Sequence, residues 1–252
     1  VKAVEKKESE RLYTITAANA MVRAVDYFIV SPNGPEEPYT WWGVKAENLV
    51  GDVLEMAGLH SYHGGASNFT FGINNPVEVN LTSAYDFCHA VASLLAWHIY
   101  ADDNGKCWFV NRPPHPTSGD RSSATISNAT LLQAQYSESD KDLRNRVVVY
   151  GVEGVVGEAK VSSPYLPPGF YKSAVIATPM IETQEMADRT AKYNLNLLNR
   201  LTRRLNISCI GNPAINARMC VNVSGWGGKY FVYGIEHNWS KAGYVTNMEL
   251  RK

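Results

Sequence analysis

A proline-rich segment, Arg112 to Asp120 (RPPHPTSGD), divides the chain into two parts of different character. Its three prolines within nine residues remove backbone donors and fix φ, so neither a helix nor a central strand can continue through it. The sequence before it combines helical periodicity with short alternating runs, whereas most of the sequence after it alternates apolar and polar residues like strands. The segment is therefore predicted to be a domain boundary in a mixed α+β chain.

Helices, short strands and a hairpin are predicted before this boundary. Gly58 is typical of a helix end, Thr82 or Ser83 can cap a following helix, and Asp103-Asn104-Gly105 is a tight-turn sequence. The predicted helices are Ala17 to Val25, Lys45 to Leu59 and Ala84 to Ala96. The predicted strands are Arg11 to Thr16, Val77 to Leu81, Trp97 to Tyr100 and Lys106 to Asn111.

Strands and one long helix are predicted after the boundary. The helix, Glu182 to Leu205, has acidic residues at its start and arginines at its end, which suits the helix dipole, and its Tyr193/Leu197 stripe is expected to pack on a barrel. The connections are too short for crossovers elsewhere, so the strands are expected to be antiparallel, as a barrel or sandwich. These strands are Leu131 to Tyr136, Asp142 to Gly151, Val155 to Val161, Asn206 to Ile210, Met219 to Val223, Tyr230 to Ile235 and Gly243 to Leu250.

Charge and hydropathy exclude several classes of protein. Lys plus Arg equals Asp plus Glu at 24 each, whereas a nucleic-acid binder usually shows a basic excess. The longest basic run, Arg200 to Arg204, is interpreted as a solvated helix face. No stretch approaches the roughly 18 to 20 apolar residues of a membrane span. The start, VKAVEKKESE, has no signal-peptide core and no Met, so the numbering is interpreted as beginning part-way into a longer chain.

Enzyme and metal chemistry lack a sequence basis. No nucleophile elbow, phosphate loop, dinucleotide fingerprint or HExxH helix is present, so we expect no enzymatic activity and no cofactor. His60 and His63 lie in a glycine-rich loop and are interpreted as surface residues, so no metal is expected. The four cysteines have no metal-ligand spacing and favour buried thiols, although a Cys209–Cys220 bridge between neighbouring strands stays open.

Several segments in fixed order carry a resemblance to a known family. ENLVGDVLEMAGL, followed by VEVNLTSAYDFCHAVASLLAWHIYADDNGKCWFV, resembles the second domain of phage baseplate hub proteins. DLRNRVVVYG (142–151) is similar to the signature that begins the later barrel of that family. GNPAINARMCVNV (211–223) and YFVYGIEHNWSKAGYVTNMELR (230–251) resemble its closing section. The family includes the late control protein D group, the hubs of pyocin-type particles and the spike proteins of type VI secretion.

The resemblance implies a fold and a domain plan. The expected fold is α+β: a tail-tube-like antiparallel β-barrel with one long helix, preceded by a smaller α+β domain. Residues 1–39 would be the remnant or end of an N-terminal barrel region, 40–112 the α+β hub domain, and 113–252 the tube-like barrel with inserted helix 182–205. A complete hub has a further N-terminal barrel, of which only the last strand and following helix correspond to residues 11–25.

The resemblance also implies a function by assembly. It indicates a structural component of a phage tail or phage-tail-like baseplate hub, in which a homotrimer matches the central spike to the hexameric tail tube. Expected partners are other copies of the chain, the tail tube protein, the spike and baseplate proteins and, as a further candidate, the tape measure protein. DNA would only pass through the lumen. The expected location is the virion tail, after synthesis in the bacterial cytoplasm.

Candidate assembly residues lie where the predicted barrel begins. Arg144, Asn145 and Arg146 are predicted to line the lumen or to bridge subunits. The alternative, which has equal weight, is that they are ordinary solvated residues at the end of a strand. A second hypothesis is a carbohydrate- or cell-surface-binding module at the tail tip that would use exposed tryptophans. The candidate tryptophans are Trp41, Trp42 and Trp226. A cell-wall hydrolase is a third, less favoured hypothesis.

Overall fold

The computed structural model describes residues 3–7, 12–16, 18–34, 36–102, 104–112 and 115–252, and the side chains from residue 18 onwards within these ranges. Its helices are α1 Val22–Asp26, α2 Ala46–Met56, α3 Ala84–Leu94 and α4 Gln184–Leu198. Its first eleven strands are β1 Ala3–Lys7, β2 Leu12–Thr16, β3 Phe28–Ile29, β4 Tyr39–Trp41, β5 Val44–Lys45, β6 Tyr62–Gly64, β7 Thr70–Phe71, β8 Val77–Val79, β9 Thr82–Ser83, β10 His98–Ala101 and β11 Cys107–Val110. The remaining strands are β12 Ser122–Ile126, β13 Leu131–Ser139, β14 Arg146–Tyr150, β15 Val156–Lys160, β16 Ser173–Ala177, β17 Thr202–Ile210, β18 Cys220–Val223, β19 Lys229–Ser240 and β20 Gly243–Arg251.

The chain forms two compact units. The first unit contains residues 1–112, 147–159 and 174–194, and the second contains residues 113–146, 160–173 and 195–252. The chain leaves the first unit at the predicted boundary after Arg112 and returns to it twice. Compactness does not test which part folds by itself, so the domain limits predicted from the sequence stay a prediction. Of the described helices, none is both long and apolar enough to cross a bilayer.

Local signals set the helices of the first unit. The buried face of α2 consists of Ala46, Leu49, Val50, Val53 and Leu54. Gly58 adopts a left-handed φ of +73° just beyond the helix, as its end signal predicts. Ser83 caps α3 by accepting a hydrogen bond from the Asp86 amide at 3.0 Å, and α2 and α3 pack against each other. Both predicted helices are confirmed.

The predicted hairpin and the start of the chain are also partly described. Strands β10 and β11 pair antiparallel, which confirms the hairpin, although Asp103 of its turn lies outside the described residues. Strand β2 confirms the predicted strand except for Arg11, which also lies outside the described residues, and β2 pairs with β1. The predicted helix from Ala17, a residue outside the described ranges, begins at Val22, because the Asn19 side chain accepts a hydrogen bond from the Met21 amide at 3.1 Å and forms the preceding turn.

The predicted helix 182–205 is too long at both ends. Helix α4 spans Gln184–Leu198, and Thr202 to Leu205 belong to β17. These last residues pair with β13 and β20, and the hydrogen bonds of two ladders outweigh their local helical tendency. The interpretation of the basic run Arg200–Arg204 as a helix face is therefore wrong.

The buried face of α4 differs from the predicted stripe. Met186 and Thr190 are buried, but Tyr193 of the predicted stripe is 38% exposed, and its ring centroid lies 6.2 Å from that of Phe69. Tyr193 and Phe69 both belong to the first unit, and packing of the Tyr193/Leu197 stripe on the barrel stays a prediction. Helix α4 packs closely against Gly157. A Cβ atom at Gly157 would lie only 2.3 Å from the backbone of Ala187 in this helix.

A six-stranded sheet forms most of the second unit. Its order is β12-β18-β19-β20-β17-β13. The neighbouring pairs are antiparallel, as predicted, except that β12 and β18 are parallel. The parallel pair is possible because the chain between β12 and β18 is long enough for a crossover. A separate three-stranded sheet has the order β15-β14-β16.

The six-stranded sheet is curled. Its edge strands β12 and β13 are joined by only residues 127–130, which span at most about 17 Å between the strand ends. The edges of a flat sheet with six strands would lie about 24 Å apart. The sheet must therefore roll towards a half-barrel, with β12 and β13 on either side of an open seam.

The inner face of this half-barrel holds one hydrophobic core. Alternating residues of β17 and β20 point into it, and apolar side chains from β12, β18 and β19 complete it. The core residues are Ile126, Leu205, Ile207, Cys209, Ile215, Val221, Val223, Tyr230, Val232, Met248 and Leu250. The predicted α+β class, with a curled strand-rich part and few helices, is confirmed.

Candidate assembly surface

The three candidate residues before β14 lie in different environments. Asn145 is 1% exposed, and its side chain fixes the segment that precedes β16. Its Oδ1 accepts a hydrogen bond from the Lys172 amide at 2.8 Å, and its Nδ2 donates one to the Phe170 carbonyl at 2.9 Å. Its backbone carbonyl accepts a third from Val161 at 3.0 Å. Asn145 thus holds two remote loop segments against the start of β14.

Arg144 and Arg146 are half-buried. Arg144 Nη1 donates to the carbonyls of Lys141 at 2.8 Å and Leu143 at 2.9 Å, so this guanidinium closes the turn that precedes the strand. The Arg146 amide lies 3.4 Å from the Lys172 carbonyl, and its side chain has contacts of its own. The three residues are adjacent in sequence, but the structure gives Asn145 an internal role and leaves only the arginines partly at the surface.

The outer face of the half-barrel is polar. Residues on β13, β17, β19 and β20 that alternate with the core residues line a groove of about 390 Å³. Ser208 Oγ donates to Asn247 Oδ1 at 2.7 Å, and Asn247 Nδ2 donates to Glu236 Oε2 at 3.3 Å, so neighbouring strands are linked by side-chain hydrogen bonds. The polar lining residues are Gln133, Gln135, Asn206, Ser208, Glu236, Asn247 and Glu249.

A cationic cluster flanks this polar face. Arg204 and Arg251 are direct cross-strand partners, and both approach the same carboxylate oxygen of Glu249, at 3.9 Å and 3.1 Å. Like charges directly opposite each other are unfavourable unless an anion lies between them, and Glu249 provides that anion. Burial lowers the pKa of the nearby Arg200 guanidinium, whose Nε donates to the Leu197 carbonyl at 2.9 Å.

The two edges of the curled sheet carry unpaired backbone groups. Within the described part of the chain, β12 and β13 each have a strand neighbour on one side only. Strand β13 is the longer edge, with nine residues from Leu131 to Ser139, and contains neither proline nor lysine. Leu132 and Tyr136 on this strand are exposed. Long edges without such protective residues are suited to pairing with another strand.

Sequence reasoning missed an aromatic pair at the tip of the β19–β20 hairpin. Trp239 is 82% exposed, and its ring stacks on Tyr244 with centroids 4.7 Å and planes 12° apart. Tyr244 OH lies 2.8 Å from His237 Nδ1, which also contacts the Thr246 hydroxyl at 3.0 Å. The sequence signal for this platform was the pair of aromatic residues, Trp239 and Tyr244, on either side of the turn at Lys241–Ala242.

The tryptophans singled out from the sequence differ from one another. Trp41 is half-buried and donates from Nε1 to Asp52 Oδ2 at 3.1 Å, and Trp226 is half-buried with its ring 6.0 Å from that of Tyr136. Trp42 is exposed. Trp41 and Trp42 belong to the first unit, and Trp226 belongs to the second.

The cysteines and histidines form no shared site. All four cysteines are buried free thiols, and burial raises the pKa of Cys88, Cys107 and Cys209. A Cys209–Cys220 bridge does not form, since β19 and β20 lie between their strands in the sheet. Across the described ranges, no three His, Cys, Asp or Glu side chains are arranged to hold a metal ion.

Comparison with solved structures identifies the architecture. The tail protein from Neisseria meningitidis MC58 matches with a TM-score of 0.67 over 99% of this chain and 77% of its own, at 10% identity. The 43 kDa tail protein of prophage MuSo2 from Shewanella oneidensis matches with a TM-score of 0.63 over 92% of this chain and 70% of its own, at 12% identity. The prophage tail protein gp18 from Listeria monocytogenes EGD-e matches with a TM-score of 0.51 over 92% and 70%, at 8% identity.

The chain has the fold of phage tail proteins. No protein-family model matches its sequence, and no curated protein matches it. The resemblance to tail proteins that the ordered sequence segments indicate is therefore confirmed at the level of the fold, while identities of 8–12% carry no residue roles. The tail-protein fold covers both compact units, because the matches extend over nearly the whole chain.

Proposed function

We propose that this chain is a structural subunit of a phage tail or tail-like particle, in the baseplate hub that joins a trimeric spike to the hexameric tail tube. The observation that carries the proposal is the tail-protein fold, which extends over 92–99% of the chain in two solved tail proteins. The resemblance of the ordered segments to baseplate hubs narrows this role from tail to hub. Symmetry matching, not chemistry on a substrate, would be the function.

The curled sheet supports assembly with other protein chains. Its seam leaves two strand edges for pairing, and its outer face offers a polar groove in place of an apolar one. A polar outer face suits either a water-filled lumen or a hydrated contact with a neighbouring subunit. In the proposed hub the partners are two further copies of the chain, the tail tube protein, the spike and baseplate proteins, and the tape measure protein, and DNA only passes through the lumen.

The proposed domain plan keeps the limits given above. Residues 1–39 are the end of an N-terminal barrel region, 40–112 the hub domain and 113–252 the tube-like barrel. Within the barrel, Arg144 and Arg146 are the proposed lumen or bridging residues, and Asn145 supports them by holding the strand start in place. The proposed location is the virion tail, after synthesis in the bacterial cytoplasm.

A second candidate function is binding of carbohydrate at the tail tip. The observation that favours it is the stacked, exposed pair of Trp239 and Tyr244, since a flat aromatic surface can pack against a sugar ring. A glycan array with the intact protein and Trp239→Ala tests it. Binding that disappears in the variant supports this function, and an array without signal contradicts it.

Native mass spectrometry of the intact chain tests the hub proposal. A hub subunit is expected to give a species at three times 27.9 kDa, because a three-fold spike must be joined to a six-fold tube. Dilution should shift this species to the monomer through a cooperative loss of trimer. A strict monomer at high protein concentration, with the thermal unfolding of a folded protein, would contradict the trimeric hub.

A further inference from the structure

The buried carboxylate of Glu182 accepts hydrogen bonds from four consecutive backbone amides. Glu182 Oε1 accepts from Gly72 at 3.0 Å and Ile73 at 3.2 Å, and Oε2 accepts from Asn74 at 2.5 Å and Asn75 at 3.4 Å. Glu182 is 7% exposed and lies 107–110 residues from these donors in the sequence. Both segments belong to the first unit.

The conformation of the 72–75 loop explains why its four amides point to one carboxylate. Gly72 has a left-handed φ of +74°, and a Cβ there would lie 2.7 Å from the Trp41 carbonyl oxygen, so the loop requires glycine at this position. Successive amides in such a turn point to one side and form a concave anion site. A carboxylate has about four lone-pair positions, which matches the four donors.

The Glu182 carboxylate is held by these backbone amides and not by an ion pair with a described residue. The described ion pairs include none that involves Glu182, whereas Glu185, one turn later, pairs with Arg189. Backbone dipoles therefore replace a cation as the counter-charge, which distinguishes an anion site from an ordinary salt bridge.

The segment that carries Glu182 is fixed on a second side. The Val152 amide donates to the Ile181 carbonyl at 3.0 Å, and a Cβ at Gly151 would lie 2.2 Å from that carbonyl oxygen. Helix α4 begins immediately afterwards at Gln184. The carboxylate of Glu182 thus ties the start of α4 to the 72–75 loop.

We propose that the 72–75 loop is a binding site for small oxyanions, whose resident ligand is the Glu182 carboxylate, and that it accepts a free monocarboxylate when this side chain is removed. Glu182→Ala deletes the terminal CH₂ and carboxylate, which together have the size and charge of acetate. The vacated site keeps the amides that the loop conformation imposes. This inference does not depend on the proposed hub function.

Chemical rescue tests the site. We expect Glu182→Ala to lower the Tm by roughly 5–10 °C, because one buried and three part-buried amides lose their acceptor in a chain of this size. Sodium acetate should raise the Tm of this variant in a concentration-dependent way, beyond the effect of sodium chloride at equal ionic strength. The matched control is Glu185→Ala, which removes an exposed carboxylate of the adjoining α4 and should show no acetate-specific shift. Glu182→Gln should also resist rescue, since its amide fills the site.

Hydrogen exchange on the unmodified protein provides a second test that needs no variant. Ile73, Asn74 and Asn75 are exposed residues, yet their amides should exchange slowly because they donate to Glu182. Fast exchange of these amides would overturn the inference, and so would equal effects of acetate and chloride on a folded Glu182→Ala protein.

Discussion

At the residue scale, Asn145 shows how a candidate contact residue can prove to be internal. Its sequence context, between two arginines at a strand start, predicts an exposed polar residue. In the structure its amide makes hydrogen bonds to Phe170 and Lys172, which lie 25 and 27 residues further along the chain. A buried amide must find partners for both its donor and its acceptor, and here the loop before β16 supplies them. The polar side chain is thus explained by folding alone.

Asn145→Ala should therefore destabilise the fold. It leaves the part-buried Phe170 carbonyl and Lys172 amide without their partners, at about 1 kcal/mol each. Chemical denaturation with circular dichroism measures the loss. Asn196→Ala, which truncates an exposed asparagine on α4, is the control and should unfold like the wild type. An Asn145 variant as stable as this control would show that the hydrogen bonds of Asn145 contribute nothing.

At the element scale, the β10–β11 hairpin depends on one carboxylate in its turn. Asp102 Oδ2 accepts from Trp108 Nε1 at 2.8 Å, and Oδ1 accepts from the amides of Asn104 and Lys106, both at 3.0 Å. The Trp108 hydrogen bond, followed by those from the two amides and the charge of Lys106, lowers the pKa of Asp102 below its ordinary value. The turn sequence predicts the hairpin, but it does not reveal that a residue before the turn organises it.

The lowered pKa of Asp102 determines how the stability of the fold changes with pH. A carboxyl group with a lowered folded-state pKa stabilises the fold above its ordinary pKa of 3.8, and the effect is lost as the pH falls through the folded-state value. Asp102→Asn should lower the Tm at neutral pH, and the difference from the wild type should shrink on acidification. Thermal unfolding across this pH range measures it, with Asp26→Asn as the exposed control. A difference that stays constant with pH would contradict the role of the Asp102 charge.

At the scale of the whole molecule, the two compact units are built from interleaved chain segments. The first unit combines residues before the proline-rich segment with two later stretches, so neither unit is continuous in sequence. The curled sheet of the second unit leaves an open seam between β12 and β13, and the nine-residue β13 edge carries neither proline nor lysine. An assembly in which another chain covers this edge would satisfy its backbone groups.

The proposed role of the two arginines belongs to this scale as well. If Arg144 and Arg146 bridge subunits, the double variant Arg144→Ala/Arg146→Ala should lower the trimer fraction in native mass spectrometry while the monomer stays folded. Arg121→Ala, an exposed arginine before β12, is the matched control. A double variant that trimerises like the wild type would remove the bridging role and leave ordinary strand-end solvation.

The sequence by itself determined the elements whose signals are local. Gly58 ends α2, Ser83 caps α3, and alternation together with turn residues specifies the hairpins, because each signal acts within a few residues of the element that it controls. The α+β class and the resemblance to tail proteins follow from the order of these elements.

Only the tertiary structure decided the features that depend on distant partners. Thr202 to Leu205 became a strand because β13 supplies ladder partners for all four residues and β20 supplies further partners for Arg204 and Leu205. The carboxylate of Glu182 and the amides of the 72–75 loop meet across more than a hundred residues. Strands β12 and β13 follow each other in the chain but do not pair, and they lie at the two edges of the sheet on either side of the seam. Such contacts have no local signature, since their free energy arises only when remote segments are already held together.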